Sequence, residues 1–269
     1  MNERTYSTPL GDIRYWVSDA QPGKPALILL PGLTADHRLF DRQIERFESE
    51  YTVLTWDAPG HAASRPFRLA FSLTDKAVWL HDILAREGII RPVLIGQSMG
   101  GYVAQAFMQR YPGEAAGFVS IDSAPLQRQY TTAVEIWLLR HIEPVYRLYP
   151  WKALCYAGAN GCAKTPYGRQ VMRSMLADYE KDAYCRLAGH GFRILGDAMA
   201  ADLPYRIDCP AMLICGEHDQ AGSAKSYNRR WAARTGLPLH WIAGAGHNAN
   251  TDRPEEVNAL IEDFVRRLG

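Results

Sequence analysis

Val93-Leu-Ile-Gly-Gln-Ser-Met-Gly-Gly101 is the stretch on which the architecture turns. Val93–Ile95 is a short apolar run that reads as a buried strand, with Pro92 placed where a strand can begin. From Met99 the pattern becomes helical and runs to Arg110, where Tyr111-Pro112 forbids continuation. Ser98 therefore sits inside G-x-S-x-G at a strand-to-helix turn. Such a turn is strained and pushes the side chain out above the sheet. Gly96 and Gly100, two residues either side, let the backbone turn without a Cβ clash. The helix that follows aims its first N–H groups at the same place. A plainer reading makes Ser98 a helix cap, a role serine fills well. The strand before it and the helix after it favour an exposed nucleophile.

The same alternation extends outward. Ala26–Leu30 stops at Pro31-Gly32, Tyr51–Trp56 at Asp57, Phe118–Ile121 at Asp122, Ala211–Cys215 at Gly216, and Leu239–Ile242 before Gly244. Each is a strand followed by a turn. Helical patterns lie between them at Leu39–Phe47 and Thr74–Glu87, the latter with Ser72 or Thr74 able to cap it, and at Glu255–Leu268. Short apolar strands alternating with helices predict an α/β fold, a mostly parallel sheet with helices on both faces. Gly11–Val17 alternates and reads as an antiparallel edge strand. From 124 to 208 the alternation fails and the chain is helix-like and rich in Tyr and Trp. That segment is predicted to be a helical cap inserted into a core made of 1–123 and 209–269. Most of its aromatics are expected to join cap helices to each other, with a minority facing a pocket.

A serine hydroxyl is a poor nucleophile at neutral pH and needs a base. Among eight histidines, His247 lies in Gly244-Ala-Gly-His-Asn-Ala249, a glycine-rich loop after the last strand. A loop at that strand end can reach the serine's edge of the sheet. His218 is the second candidate; His81 and His141 sit in helical patterns. The base needs an orienting carboxylate. Asp219, just after the Ala211–Cys215 strand, is the first choice. Asp122, after the Phe118–Ile121 strand, competes with it, and Glu217 comes early in the same turn as Asp219.

On these residues the chain resembles the α/β-hydrolase superfamily over nearly its whole length except the cap. Leu29-Leu-Pro-Gly-Leu33 is similar to the family's oxyanion loop, Asp57-Ala-Pro-Gly-His-Ala-Ala-Ser64 to a structural turn, and Gly96-Gln-Ser-Met-Gly-Gly101 to the nucleophile elbow. The order Ser98, Asp219, His247 is the family's order. The resemblance implies an eight-stranded sheet and oxyanion-binding N–H groups from Leu33 and Met99. Two departures stand out. Pro31 occupies a position where many members have His, and Ala62 one where a second Gly follows His61, which predicts a differently shaped turn there.

Composition narrows the alternatives. The 269 residues predict one large domain or one carrying an insertion. Thirty Lys+Arg against 29 Asp+Glu argue against a broad nucleic-acid face. Five cysteines form no even framework, so a reduced, cytoplasmic setting is expected, with no membrane insertion. Neither cofactor nor metal is expected. Gly158–Thr165 nearly matches a P-loop, but Ala163 replaces the required glycine. Gly244–Ala249 matches G-x-G-x-x-A, but too little chain follows for a dinucleotide site. The leading expectation is acyl transfer to water on a small, largely apolar carboxylic ester. Alternatives are a C–C bond hydrolase or lyase with the same three residues, and a slow-turnover small-ligand receptor. A cationic anchor in the pocket, for which Arg128, Arg140 and Arg186 are candidates, would favour the C–C hydrolase.

Overall fold

A four- or five-residue apolar run makes a stable strand only when both faces of the sheet are covered, and that is how the chain folds. The computed structural model describes residues 1–268. Its strands are β1 (Asn2–Thr8), β2 (Gly11–Val17), β3 (Leu27–Leu30), β4 (Val53–Trp56), β5 (Val93–Gln97), β6 (Gly117–Ile121), β7 (Ala211–Gly216) and β8 (Leu239–Ile242). They form one eight-stranded sheet in the order β1-β2-β4-β3-β5-β6-β7-β8. The β1–β2 and β2–β4 pairs are antiparallel and the pairs from β4–β3 onward are parallel.

The helices are α1 (Asp41–Phe47), α2 (Leu73–Arg86), α3 (Met99–Arg110), α4 (Ala133–Arg140), α5 (Glu143–Leu148), α6 (Trp151–Cys162), α7 (Pro166–Ala177), α8 (Lys181–Ala201), α9 (Ala224–Thr235), α10 (Ala249–Asp252) and α11 (Pro254–Arg266). Alternate residues of the strands feed two cores. Leu27, Leu29, Val93 and Ile95 pack with Phe47 of α1 and with Val257 and Ile261 of α11. Ile28, Leu30, Leu94 and Phe118 pack with Leu80 of α2, Val103 of α3 and Trp231 of α9. This is the α/β-hydrolase fold expected from the sequence. Helix α2 starts at a capping box in which Ser72 and Asp75 bond each other's backbone N–H. Helices α4 to α8 all lie between β6 and β7.

One expectation is corrected. Gly11–Val17 is not the edge, because β1 pairs outside it along all seven of its residues. Asn2-Glu-Arg-Thr-Tyr-Ser-Thr8 lacks an apolar run because it is a largely exposed edge strand, where charge and polarity discourage pairing with other chains. Among the described residues no helix is long and apolar enough to cross a membrane, and the five cysteines are free thiols.

Candidate active site

Ser98 joins β5 to α3 with φ 49° and ψ −116°, a backbone region that a side chain rarely enters. The neighbouring glycines are required by space. A Cβ on Gly96 would lie 2.4 Å from the Gly100 carbonyl carbon, and one on Gly100 would lie 1.9 Å from the Leu30 carbonyl oxygen. The turn is tied down on both sides. The Ser98 N–H donates to Ile121 O at 2.9 Å, and Ser123 Oγ donates to Ser98 O at 2.7 Å.

His247 and Asp219 arrive on the loops after β8 and β7. Ser98 Oγ lies 2.9 Å from His247 Nε2, and His247 Nδ1 lies 3.0 and 3.1 Å from the two Asp219 oxygens. The sequence-predicted trio is thus one hydrogen-bonded chain. The Asp219 side chain is fully buried, and that of His247 is 12% exposed. Burial alone would favour the neutral imidazole. The charge and hydrogen bond of Asp219, with a contribution from Asp122, outweigh it and hold the His247 pKa above its ordinary value.

Leu33 and Met99 border the same cavity, which has a volume of about 610 Å³. Among the described residues, neither backbone amide donates to another backbone carbonyl, so both remain available. Gly32 permits this approach, since a Cβ there would lie 2.3 Å from Gln97 Oε1. The walls are mainly apolar, with Leu139, Met172, Leu176, Leu195 and Met199 among them, and no Lys or Arg borders the cavity among the described residues. Of the eleven Tyr, Trp and Phe residues between β6 and β7, Tyr146, Tyr184 and Phe192 border it. Tyr146 also packs on Tyr184 and on Phe192, each at a ring-centre distance of 6.2 Å. Trp137, Tyr149 and Tyr156 are exposed instead.

Other candidates fall elsewhere. His218 and Glu217 are exposed. Asp122 makes no hydrogen bond to His247; its oxygens accept the Gly216 and Ala249 N–H groups at 2.6 and 2.8 Å. Arg140 pairs with Asp197 at 2.7 Å and Arg186 with Asp182 at 2.9 Å, while Arg128 bonds Thr131 O. None of the three reaches the cavity. Ala62 takes φ 33°, so the turn keeps a left-handed backbone without the glycine. Sequence reasoning missed Gln97, whose amide donates to His247 O at 2.8 Å and Asn248 Oδ1 at 3.1 Å. A variable position inside G-x-S-x-G carries no signal for a contact 150 residues away. It also missed Tyr102 and Tyr227, which border the cavity from α3 and α9.

A 2-succinyl-6-hydroxy-2,4-cyclohexadiene-1-carboxylate synthase of Citrobacter koseri is 27% identical, over 94% of this chain and 99% of its own length. A thermophilic esterase of Thermogutta terrifontis superposes with a TM-score of 0.80 at 22% identity, covering 100% of this chain and 99% of that one. The enol-lactonase of Burkholderia xenovorans LB400 superposes with a TM-score of 0.76 at 21% identity, covering 98% and 100%. At these identities the solved structures speak to fold. The profile of the alpha/beta hydrolase family matches residues 27–260, and the chain belongs to that family.

Proposed function

We propose that this protein is a serine hydrolase that cleaves small, neutral, largely apolar carboxylic esters through an acyl-enzyme. The observation that carries the reading is the unbroken chain Ser98 Oγ, His247, Asp219 beside an apolar cavity. In this mechanism Ser98 attacks the ester carbonyl while His247 Nε2 takes its proton. Asp219 holds the Nδ1–H tautomer and stabilises the imidazolium. The N–H groups of Leu33 and Met99 receive the developing oxyanion, each contributing about 10²- to 10³-fold in rate. His247 then returns the proton to the leaving alcohol and activates the water that releases the acid. Residues 124–208 act as the cap that shapes the cavity over the nucleophile. Esterase and lactonase activities among the structural neighbours support this direction.

The synthase relative is named for a carboxylate product, and carbon–carbon bond chemistry on a carboxylate substrate is the second reading of the same three residues. Such a substrate calls for a cation in the cavity, and Arg128, Arg140 and Arg186 are all engaged elsewhere. The ester reading is therefore preferred. It is tested by labelling with a fluorophosphonate, followed by turnover on chromogenic esters of increasing acyl length. The wild type should label and turn over many times. Ser98→Ala should do neither while melting as the wild type does. Near-full hydrolysis by Ser98→Ala would place the chemistry elsewhere. A single covalent event without turnover would favour a receptor.

A further inference from the structure

The three side chains of the site leave the sheet on three different strands, so something must hold the loops in register. The residues after β6 touch all three. Ser123 Oγ donates to the carbonyl of Ser98 at 2.7 Å. Asp122 Oδ1 accepts the N–H of Gly216, three residues before Asp219, at 2.6 Å. Asp122 Oδ2 accepts the N–H of Ala249, two residues after His247, at 2.8 Å. Asp122 and Ser123 are 1% and 2% exposed. Asp122 holds φ 48°, a left-handed conformation costly for a residue with a Cβ. Its own N–H is tied to Ile214 O at 2.8 Å. The Ser123 carbonyl accepts from Asn228 Nδ2 at 2.6 Å.

We propose that Asp122, assisted by Ser123, is a positioning residue for the reaction, spanning the acid loop and the base loop so that His247 meets Ser98 and Asp219 together. This rests on the serine-hydrolase reading above. Only a carboxylate supplies the two acceptors that the Gly216 and Ala249 N–H groups require. An asparagine offers one acceptor and turns an NH₂ toward the other N–H. The charge matters as well. Asp219 and His247 are the ionic groups facing Asp122, with the Cys215 thiol beside them; the Asp122, Cys215 and Asp219 ligand atoms all lie within 4.8 Å of one another. Burial and the Asp219 charge raise the Asp122 pKa, while the His247 charge and the two backbone N–H bonds oppose this rise.

The test uses Asp122→Asn, Asp122→Ala and Ser123→Ala, with working sites counted by fluorophosphonate burst so that misfolded protein is not scored. Asp122→Asn should lower kcat per counted site about ten- to a hundred-fold, the cost of a small misplacement of reacting groups. KM should stay within about twofold, because substrate binding is not what is lost. The acidic limb of the kcat/KM profile should move to lower pH, as the imidazole loses carboxylate company. Ser123→Ala should lower kcat by a smaller factor. Wild-type kcat per site with an unmoved limb in Asp122→Asn, whatever its melting temperature, would overturn the proposal and leave Asp122 a purely structural staple. If neither Asp122 variant yields countable sites, full kcat in Ser123→Ala would overturn it. Hydrolysis surviving in Ser98→Ala would instead bring down the reading beneath.

Discussion

Lys76 shows how a single residue can oppose the fold that contains it. It lies on the buried face of α2 at 1% exposure, with its ammonium 5.6 Å from the Phe71 ring and no carboxylate paired with it among the described residues. Burial lowers its pKa from 10.5 to about 8. Between these two values the unfolded chain holds a proton that the folded one does not, so its contribution to stability rises with pH across that window. At pH 7 both states are charged, and the buried charge costs roughly 3 kcal/mol at 1.36 kcal/mol per unit. Lys76→Met should therefore stabilise the protein by about that amount at pH 7. The gain should shrink toward zero above pH 10.5. Urea unfolding of both proteins at the two pH values checks it; an equal difference at both would refute the cause. At this same scale the sequence was most readable where chemistry is local. Ser98, His247 and Asp219 each follow a strand, and strand ends are visible in one sequence. The grip of Gln97 on the histidine loop and the bridging role of Asp122 were not readable, because their partners lie far along the chain.

Among elements, one carboxylate gathers several of the bonds between the helices after β6 and the histidine loop, beside the Asn248 N–H that donates to Cys162 O at 2.9 Å. Asp252, in α10 and 4% exposed, accepts the N–H groups of Lys164, Thr165 and Gly246 and the Thr165 hydroxyl, at 2.8 to 3.0 Å. Lys164 and Thr165 link α6 to α7, and Gly246 precedes His247. Asp252→Ala should destabilise by about 3 kcal/mol, since several buried donors lose their acceptor together. Turnover should fall further than the unfolded fraction explains, measurable by pairing unfolding curves with counted-site kcat. Elements were legible in proportion to their burial. β5 and α3 follow directly from an apolar run, two glycines and Pro112. β1 left no periodic signature, since an edge strand exposed to solvent buries too little to impose one. Its existence depends on β2 offering it a partner.

For the whole molecule, the decisive property is the sign of the field in the cavity. The formal net charge is +1, yet Glu135 borders the cavity and, among the described residues, no Lys or Arg does. Tyr227 and Thr132 hydrogen bonds hold the Glu135 carboxyl below its usual pKa despite the burial that opposes them. An ester bearing a free carboxylate should therefore have a kcat/KM at least about a hundred-fold below that of its methyl-ester analogue, the effect of burying an unpaired charge. Matched half-esters and diesters measure this. Equal rates would mean that a cation reaches the cavity during turnover.

Local pattern determined the parallel α/β sheet, the elbow at Ser98 and the chain order of the three candidate site residues. Strand burial, proline stops and glycine spacing act over a few residues and leave their mark in one sequence. Tertiary structure alone decided that Asp219 rather than Asp122 faces the imidazole, that Gln97 grips the histidine loop, and that three aromatics after β6 turn inward. Those outcomes depend on which strand ends become neighbours in the sheet, and adjacency between distant segments is a property of packing, not of any segment's own residues.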